Sequence, residues 1–191
     1  MSRSIMWFRR DLRLIDNPAL LAAIEAGEEI VPLFILDPKL IDITGAKGLA
    51  YLAASLQRLD ESLKNKLNVC AGDPLEILKD FKKKYEATSV HISTEYDKYA
   101  VERDARIEAG GIELTRTGSP YAVAPGRVKK PSDATNYRVY TPFYRGWLAH
   151  GWRAAVAAPK TIKAVTPDPK DRNFPTWKAP EGTDIPVAGE K

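Results

Sequence analysis

Two short polar stretches, each at the end of an apolar run, carry the residues best suited to chemistry. The first is Arg9-Arg10-Asp11-Leu12-Arg13, which follows Ser4-Ile5-Met6-Trp7-Phe8 without a break. Guanidinium groups crowded into one turn suit an anion or the face of a planar heteroaromatic ring. The same composition also describes a solvated turn whose cations pair with Asp11 and Asp16. The second stretch is Glu95-Tyr96-Asp97, after Ser89-Val90-His91-Ile92. A third candidate is itself mostly apolar: Phe34-Ile35-Leu36-Asp37 closes another hydrophobic run and ends on a carboxylate. Brought together, the three would give a pocket with aromatic walls and a few polar groups, the usual composition of a cofactor site.

Other chemistries have less support. Two histidines and one cysteine supply too few ligands and nucleophiles for a metal centre or a Cys–His pair. His91 falls inside an expected strand and reads as structural. No glycine-rich phosphate loop or dinucleotide fingerprint follows the first strand. Gly72-Asp73-Pro74 is fully explained as a helix cap. The stretch from Arg127 to Arg153 interleaves cations with aromatics, a pattern that can bind nucleic acid. Phe143 and Trp147 stand four apart on one helical face, however, which suits packing against the sheet or another domain better than base stacking.

The elements that must position these residues are legible in order. Ser4–Phe8 is a buried strand, and Asp16-Asn17-Pro18 starts a helix to about Ala26 by an Asx cap with proline at the first helical position. Ile30–Leu36 is a second strand, with Pro32 expected near its start because proline removes a ladder donor. Lys39–Gly48 reads as a loop. Leu49, Leu52, Leu56, Leu59 and Leu63 mark a helix by their spacing of three and four. Leu67–Cys70 is a third strand, Asp73-Pro74 caps the next helix, Ser89–Ile92 is a fourth strand, Lys98–Ala109 a helix, and Ile112–Leu114 a fifth strand. This alternation predicts an α/β fold with a doubly wound, five-stranded parallel sheet. Ligands of such sheets bind outside the carboxyl ends of the strands, where the strand order reverses. If the first strand lies between the second and fourth, all three candidate rims are neighbours.

The bulk properties are those of an ordinary globular protein: 191 residues, 44% hydrophobic, 28% charged, net charge +4. That charge permits contact with a polyanion without demanding it. No apolar stretch approaches a membrane span, so no membrane partner is expected. The lone Cys70 excludes a disulfide framework and leaves the cytoplasm as the default compartment. After Leu114 the pattern loosens. One helix starts at Thr141-Pro142, and from Pro159 onward six of the fourteen prolines occur without an apolar periodicity. The expected organisation is an α/β domain over 1–130 and a connector helix with linker or wrapping segment over 131–191.

The run Trp7-Phe8-Arg9-Arg10-Asp11-Leu12-Arg13-Leu14-Ile15-Asp16-Asn17-Pro18-Ala19-Leu20 resembles the N-terminal signature of the DNA photolyase and cryptochrome family. Leu33-Phe34-Ile35-Leu36-Asp37-Pro38, Gly72-Asp73-Pro74 and Asn136-Tyr137-Arg138-Val139-Tyr140-Thr141-Pro142-Phe143 with Trp147 follow in the family's order, and Glu102-Arg103-Asp104 lies in the expected helix. The resemblance covers about residues 1–155 and is nearest to bacterial-type, class I deoxyribodipyrimidine photolyases. It implies that this α/β domain holds a light-harvesting antenna chromophore at the strand rims. A separate C-terminal helical domain, not in this chain, would bind FAD and UV-damaged DNA and split cyclobutane pyrimidine dimers. The fragment alone is then not expected to be active, and DNA is a partner only of the full-length protein.

Carried over residue by residue, the resemblance implies Arg9 as a stacking or hydrogen-bonding contact and Phe34, Ile35, Leu36 and Asp37 on the second rim. It places Glu95, Tyr96, Asp97 and Tyr99 on the third, with Arg103 close by. Many members carry an arginine where Gly48 stands. The Phe-Ile-Leu-Asp-Pro rim is closer to deazaflavin or flavin binders, with reduced folate the remaining ligand of the family. The alternatives are a cryptochrome-type blue-light sensor and a stand-alone nucleotide-binding module that shares the fold.

Overall fold

The computed structural model describes residues 1–190, so Lys191 of the expected 131–191 segment lies outside the described residues. Five parallel strands run β1 (Arg3–Phe8), β2 (Glu29–Leu36), β3 (Asn68–Ala71), β4 (Ala87–Ile92) and β5 (Leu114–Arg116). Their order in the sheet is β3-β2-β1-β4-β5. The chain builds outward from β1 to β3 and then returns to pair β4 with β1. The strand order therefore reverses at β1, and the ends of β2, β1 and β4 lie side by side.

Alternation along each strand divides the core in two. Ile5, Trp7, Val31, Leu33, Ile35, Val90 and Ile92 face one side, against α4 (Pro74–Lys84) and α5 (Lys98–Ala109). Met6, Phe8, Ile30, Phe34 and Leu36 face the other, against α1 (Pro18–Ala26) and α3 (Ala46–Ser62). The doubly wound architecture follows from this two-sided burial. Each cap expected from the sequence forms: Asn17 accepts from Leu20 N, and Asp73 accepts from Leu75 N.

Several boundaries depart from the sequence reading; the fourth strand, for example, begins at Ala87 instead of Ser89. Residues 39–48 are not simply a loop, because Asp37 caps a one-turn helix, α2 (Pro38–Ile41), and α3 begins at Ala46. Too short to show periodicity, α2 has only its Asp-Pro start as a signal. The third strand sits one residue later than expected. The fifth begins at Leu114, because Ile112 belongs to the end of α5: its N–H reaches the Ile107 carbonyl at 3.3 Å while Gly111 N–H reaches Glu108 O at 3.0 Å. This is a Schellman ending with Gly111 in the left-handed region (φ 87°), and Ile112 packs back on the helix it terminates.

Pro32 sits in mid-strand rather than near the start, and the sheet accommodates it. On the β3 side of β2, Ile30 exchanges hydrogen bonds with Lys163 and Val165, while β3 pairing begins only at Leu33. Pro32 lies between these two, and the Asn68 side chain donates to its carbonyl at 2.8 Å.

The proline-rich segment wraps this same sheet edge. Asn173 N donates to Val69 O, and Ile162, Phe174 and Trp177 pack on the α1/α3 side of the core. Arg172 anchors it, donating to Asp60 at 2.7 and 3.1 Å and to the carbonyls of Asn65 and Leu67. The helix α6 (Tyr140–His150) contributes no buried residue. Of the two packings expected for its aromatics, on the sheet or on another domain, the first does not occur. Tyr140, Tyr144, Trp147 and Trp152 instead stack on one another, with centroids 4.8–6.4 Å apart.

Two measurements test this framework. Arg172→Ala leaves the nearly buried Asp60 carboxylate without its guanidinium and should cost about 1–3 kcal/mol in urea denaturation; a loss under about 0.5 kcal/mol would contradict the anchoring role. His91 is buried, with Nε2 on Ser89 and Nδ1 unpaired, and burial holds its pKa below the ordinary 6.5. Above that value the residue leaves stability independent of pH. As pH falls below it, the unfolded chain takes up the proton first and stability drops, by at most about 1.4 kcal/mol per unit. His91→Gln should flatten that part of the stability curve between about pH 7 and 5.

Candidate functional site

At the carboxyl end of β1 the turn 9–13 is folded by Asn17, whose amide donates to the carbonyls of Asp11 and Arg13. The Asp11 carboxylate accepts from Arg9 N and from the Ser93 hydroxyl, tying the turn to the end of β4. Arg9 is 8% exposed and points inward. It donates to both Asp104 oxygens at 2.9 and 3.1 Å and to the Ser93 carbonyl, while its Nε lies 3.6 Å from Glu95 without a hydrogen bond.

Arg103, one helical turn past Tyr99 on α5, donates to Glu95 at 3.0 Å and to Asp104 at 2.9 Å. The Trp7 ring has both guanidiniums against it, Arg9 at 5.0 Å and Arg103 at 4.8 Å from its centroid. Two cations and two carboxylates thus form one buried network around an indole. Burial pulls the Arg9 pKa down, against the carboxylates that raise it; for Arg103 burial also lowers it, but Asp104 and Glu95 together outweigh burial and hold it up. Outside this network the half-solvated Arg10 spans Glu95 and Asp97 at 3.4 and 3.2 Å.

A cavity of about 230 Å³ opens beside the network, at the reversal of strand order. Its polar wall holds Arg9, Arg10 and Arg103 against Asp37, Glu95 and Asp97, three cations facing three carboxylates. Phe34 and Ile35 form part of the apolar wall. Tyr99 crosses from α5 to the second rim, its hydroxyl donating to Asp37, whose other oxygen caps α2. Burial and that hydrogen bond push the Tyr99 pKa up to about 12.

Of the ten residues expected at the site, eight converge on this cavity: Arg9, Phe34, Ile35, Asp37, Glu95, Asp97, Tyr99 and Arg103. Leu36 does not, since it turns into the core beside α1 and α3. Tyr96 does not either; it is 40% exposed and meets the edge of Tyr121 at 5.9 Å. Arg9 reaches the cavity but spends most of its donors on protein partners. The sequence reading missed Leu40, Ile41 and Thr44 from the α2 region and Leu52 of α3, which complete the apolar wall. Their one signal was Asp37-Pro38, a helix start that would have carried the chain back over the rim.

The charged residues lining the cavity are paired with one another, three cations against three carboxylates, and Phe34, Leu40, Ile41 and Leu52 make its other side apolar. Among the described residues no group of three metal-ligating side chains converges, and no helix is long and apolar enough to cross a membrane.

Comparison with known proteins accords with this geometry. The chain is 34% identical over 182 residues to a deoxyribodipyrimidine photo-lyase of Streptomyces griseus, covering 88% of this chain and 40% of that protein. A second, from Agrobacterium fabrum, is 32% identical over 91% of this chain and 38% of the relative. The chain therefore spans about two fifths of the length of these relatives. The crystal structure of a bacterial class III photolyase from Agrobacterium tumefaciens superposes with a TM-score of 0.78 at 29% identity, over 93% of this chain and 38% of that one. An archaeal photolyase from Sulfolobus tokodaii, solved with two FAD molecules and described as implicating a novel light-harvesting cofactor, gives 0.71 at 26% identity, over 85% of this chain and 38% of that one. The family model for DNA photolyase matches residues 4–163, and with the five-stranded parallel sheet it matches in solved photolyases, the chain belongs to the DNA photolyase family.

Proposed function

We propose that this chain is the antenna-chromophore-binding part of a light-driven DNA photolyase. The observation that carries the reading is the charge-balanced, aromatic-walled cavity at the strand-order reversal. A planar chromophore with an uncharged ring fits such a slot. Phe34, Leu40 and Ile41 would supply apolar contact to such a ring, and the paired carboxylates and guanidiniums would offer hydrogen-bonding groups already held in place. A flavin or deazaflavin ring is the favoured occupant and a reduced folate the alternative, on the resemblance of the Phe34–Pro38 rim to flavin-type binders.

The bound chromophore would supply absorption of near-UV or blue light and pass the excitation to FAD in a longer protein. This chain's residues orient the ring and exclude water from one face. The rigid network behind Trp7 keeps that orientation fixed, which matters because energy transfer depends on geometry. FAD, the splitting of cyclobutane dimers and the contact with damaged DNA belong in this reading to a helical domain beyond residues 1–191, with residues 131–191 as the connector toward it.

Titrating the purified chain with riboflavin, FMN, a deazaflavin and a reduced folate should show binding of at least one flavin-type ring, by fluorescence quenching or an absorbance shift. No binding to any of them, in a chain with native circular dichroism, would overturn the reading. Thr44→Trp places an indole at the half-exposed wall of the slot and should weaken that binding at least about tenfold without loss of stability. Arg9→Gln is expected to act differently. It removes one of the two buried guanidiniums, leaving Arg103 alone to compensate Asp104 and Glu95 in the interior, and should cost about 3–5 kcal/mol of folding stability in urea denaturation. A loss below about 1 kcal/mol would show that the network is not what holds the rim.

A further inference from the structure

The cavity has a neighbour. A second groove shares Arg9, Arg10 and Leu52 with its lining and extends to Arg13, Gly189 and Glu190. Its charge differs sharply from the cavity's. Arg9, Arg10 and Arg13 line the groove, and Glu190 is its one acidic lining residue. At the far end the two Glu190 carboxylate oxygens each accept a backbone N–H, from Leu14 at 2.9 Å and from Ile15 at 2.7 Å. Two successive amides converging on one carboxylate make an occupied anion site. Arg13 stands beside it and is engaged with Asp16, and Arg9 and Arg10 have carboxylate partners of their own, so Glu190 is held by the two amides without a salt bridge.

We propose that the Leu14 and Ile15 amides, with Arg13, form an oxyanion subsite for the tail of the ligand whose ring occupies the cavity, and that Glu190 covers it in cis. The inference rests on the chromophore reading of the cavity and narrows it to a ring carrying a flexible tail that ends in an oxyanion such as a phosphate monoester. A neutral slot gives such a tail no partner, and the groove that leaves it does. The contact made by Glu190 is solvent-exposed, so exchanging one oxyanion for another leaves no buried group unpaired. Glu190 is then a competitor tethered to the chain, which lowers affinity for a phosphate-bearing ligand relative to its phosphate-free analogue.

The test compares FMN with riboflavin, which differ in the terminal phosphate, on the full chain and on Glu190→Ala. The ratio of FMN to riboflavin affinity should rise about tenfold in the variant, the scale of one or two charge-assisted hydrogen bonds. In parallel, inorganic phosphate titrated into the ¹⁵N-labelled variant should move the amide resonances of Leu14 and Ile15. An unchanged affinity ratio, or amide resonances that phosphate does not move, would overturn the subsite. Movement of those resonances in a chain that binds neither flavin would uphold the anion site and overturn the chromophore reading instead.

Discussion

The buried pairing of Arg9 and Arg103 with Asp104 and Glu95 is the constraint on which the rest of the site depends. Charges taken out of water are tolerated only when each is compensated and hydrogen-bonded. That condition forces four residues from three elements into register: the turn after β1, the strand-end loop after β4, and α5. Once satisfied, it fixes the distance between two of the three rims. Asp11 adds the Ser93 hydroxyl to the same tie, and Asp37 with Tyr99 brings in the third rim. Such a network is a weak source of net stability and a strong source of uniqueness, because any displacement leaves a charge uncompensated. A site that must hold a ring in one orientation gains from that property.

The same network decides what the cavity can recognise. Each guanidinium at the rim already has carboxylate partners, so the slot offers fixed dipoles and apolar faces instead of spare positive charge. The neighbouring groove is lined by Arg9, Arg10 and Arg13 with Glu190 as its one acidic lining residue. In the proposed reading, ring and tail would be handled by different physics in adjoining places: dispersion and shape in the cavity, oriented amides and Arg13 in the groove. Trp7 links the two cores of this scheme. It belongs to the hydrophobic cluster under the sheet and also carries the two guanidiniums on its ring.

Much of the fold was legible because it is local. The Asp-Pro and Asn-Pro starts, the leucine stripe of α3 and the apolar strands each declare themselves within a dozen residues, and the alternation of strand and helix leads to the parallel sheet. What was not legible depends on distance. Arg9 at a charged turn reads as a solvated or ligand-facing cation, and only its partner 95 residues away makes it a buried structural one. Leu36 and Tyr96 lie on the right rims but on the wrong sides of them, since a rim residue's direction is set by what packs beneath it. Ile112 reads as strand by its apolar neighbours, yet the Schellman ending claims it for the helix. Leu40, Ile41 and Thr44 were hidden in an apparent loop because one helical turn has no period to detect.

The proline-rich segment shows how composition can leave two roles open. Six prolines and no amphipathic face describe a linker or a wrapping segment, and the structure shows the second: the segment covers the β3 side of the sheet, where a short strand leaves the N-terminal half of β2 without a neighbour. An uncovered edge is a template for unwanted pairing. Residues 163–165 pair with Ile30, Arg172–Asn173 pair with Val69, and Pro32 lies between the Ile30 contacts and the start of β3 pairing at Leu33, where its missing N–H leaves no ladder bond unmade. Proline suits each part of this arrangement, because an extended wrapper needs a stiff chain and an edge needs few free amides. The prolines that argue against a packed domain therefore favour the extended geometry that finishes the sheet.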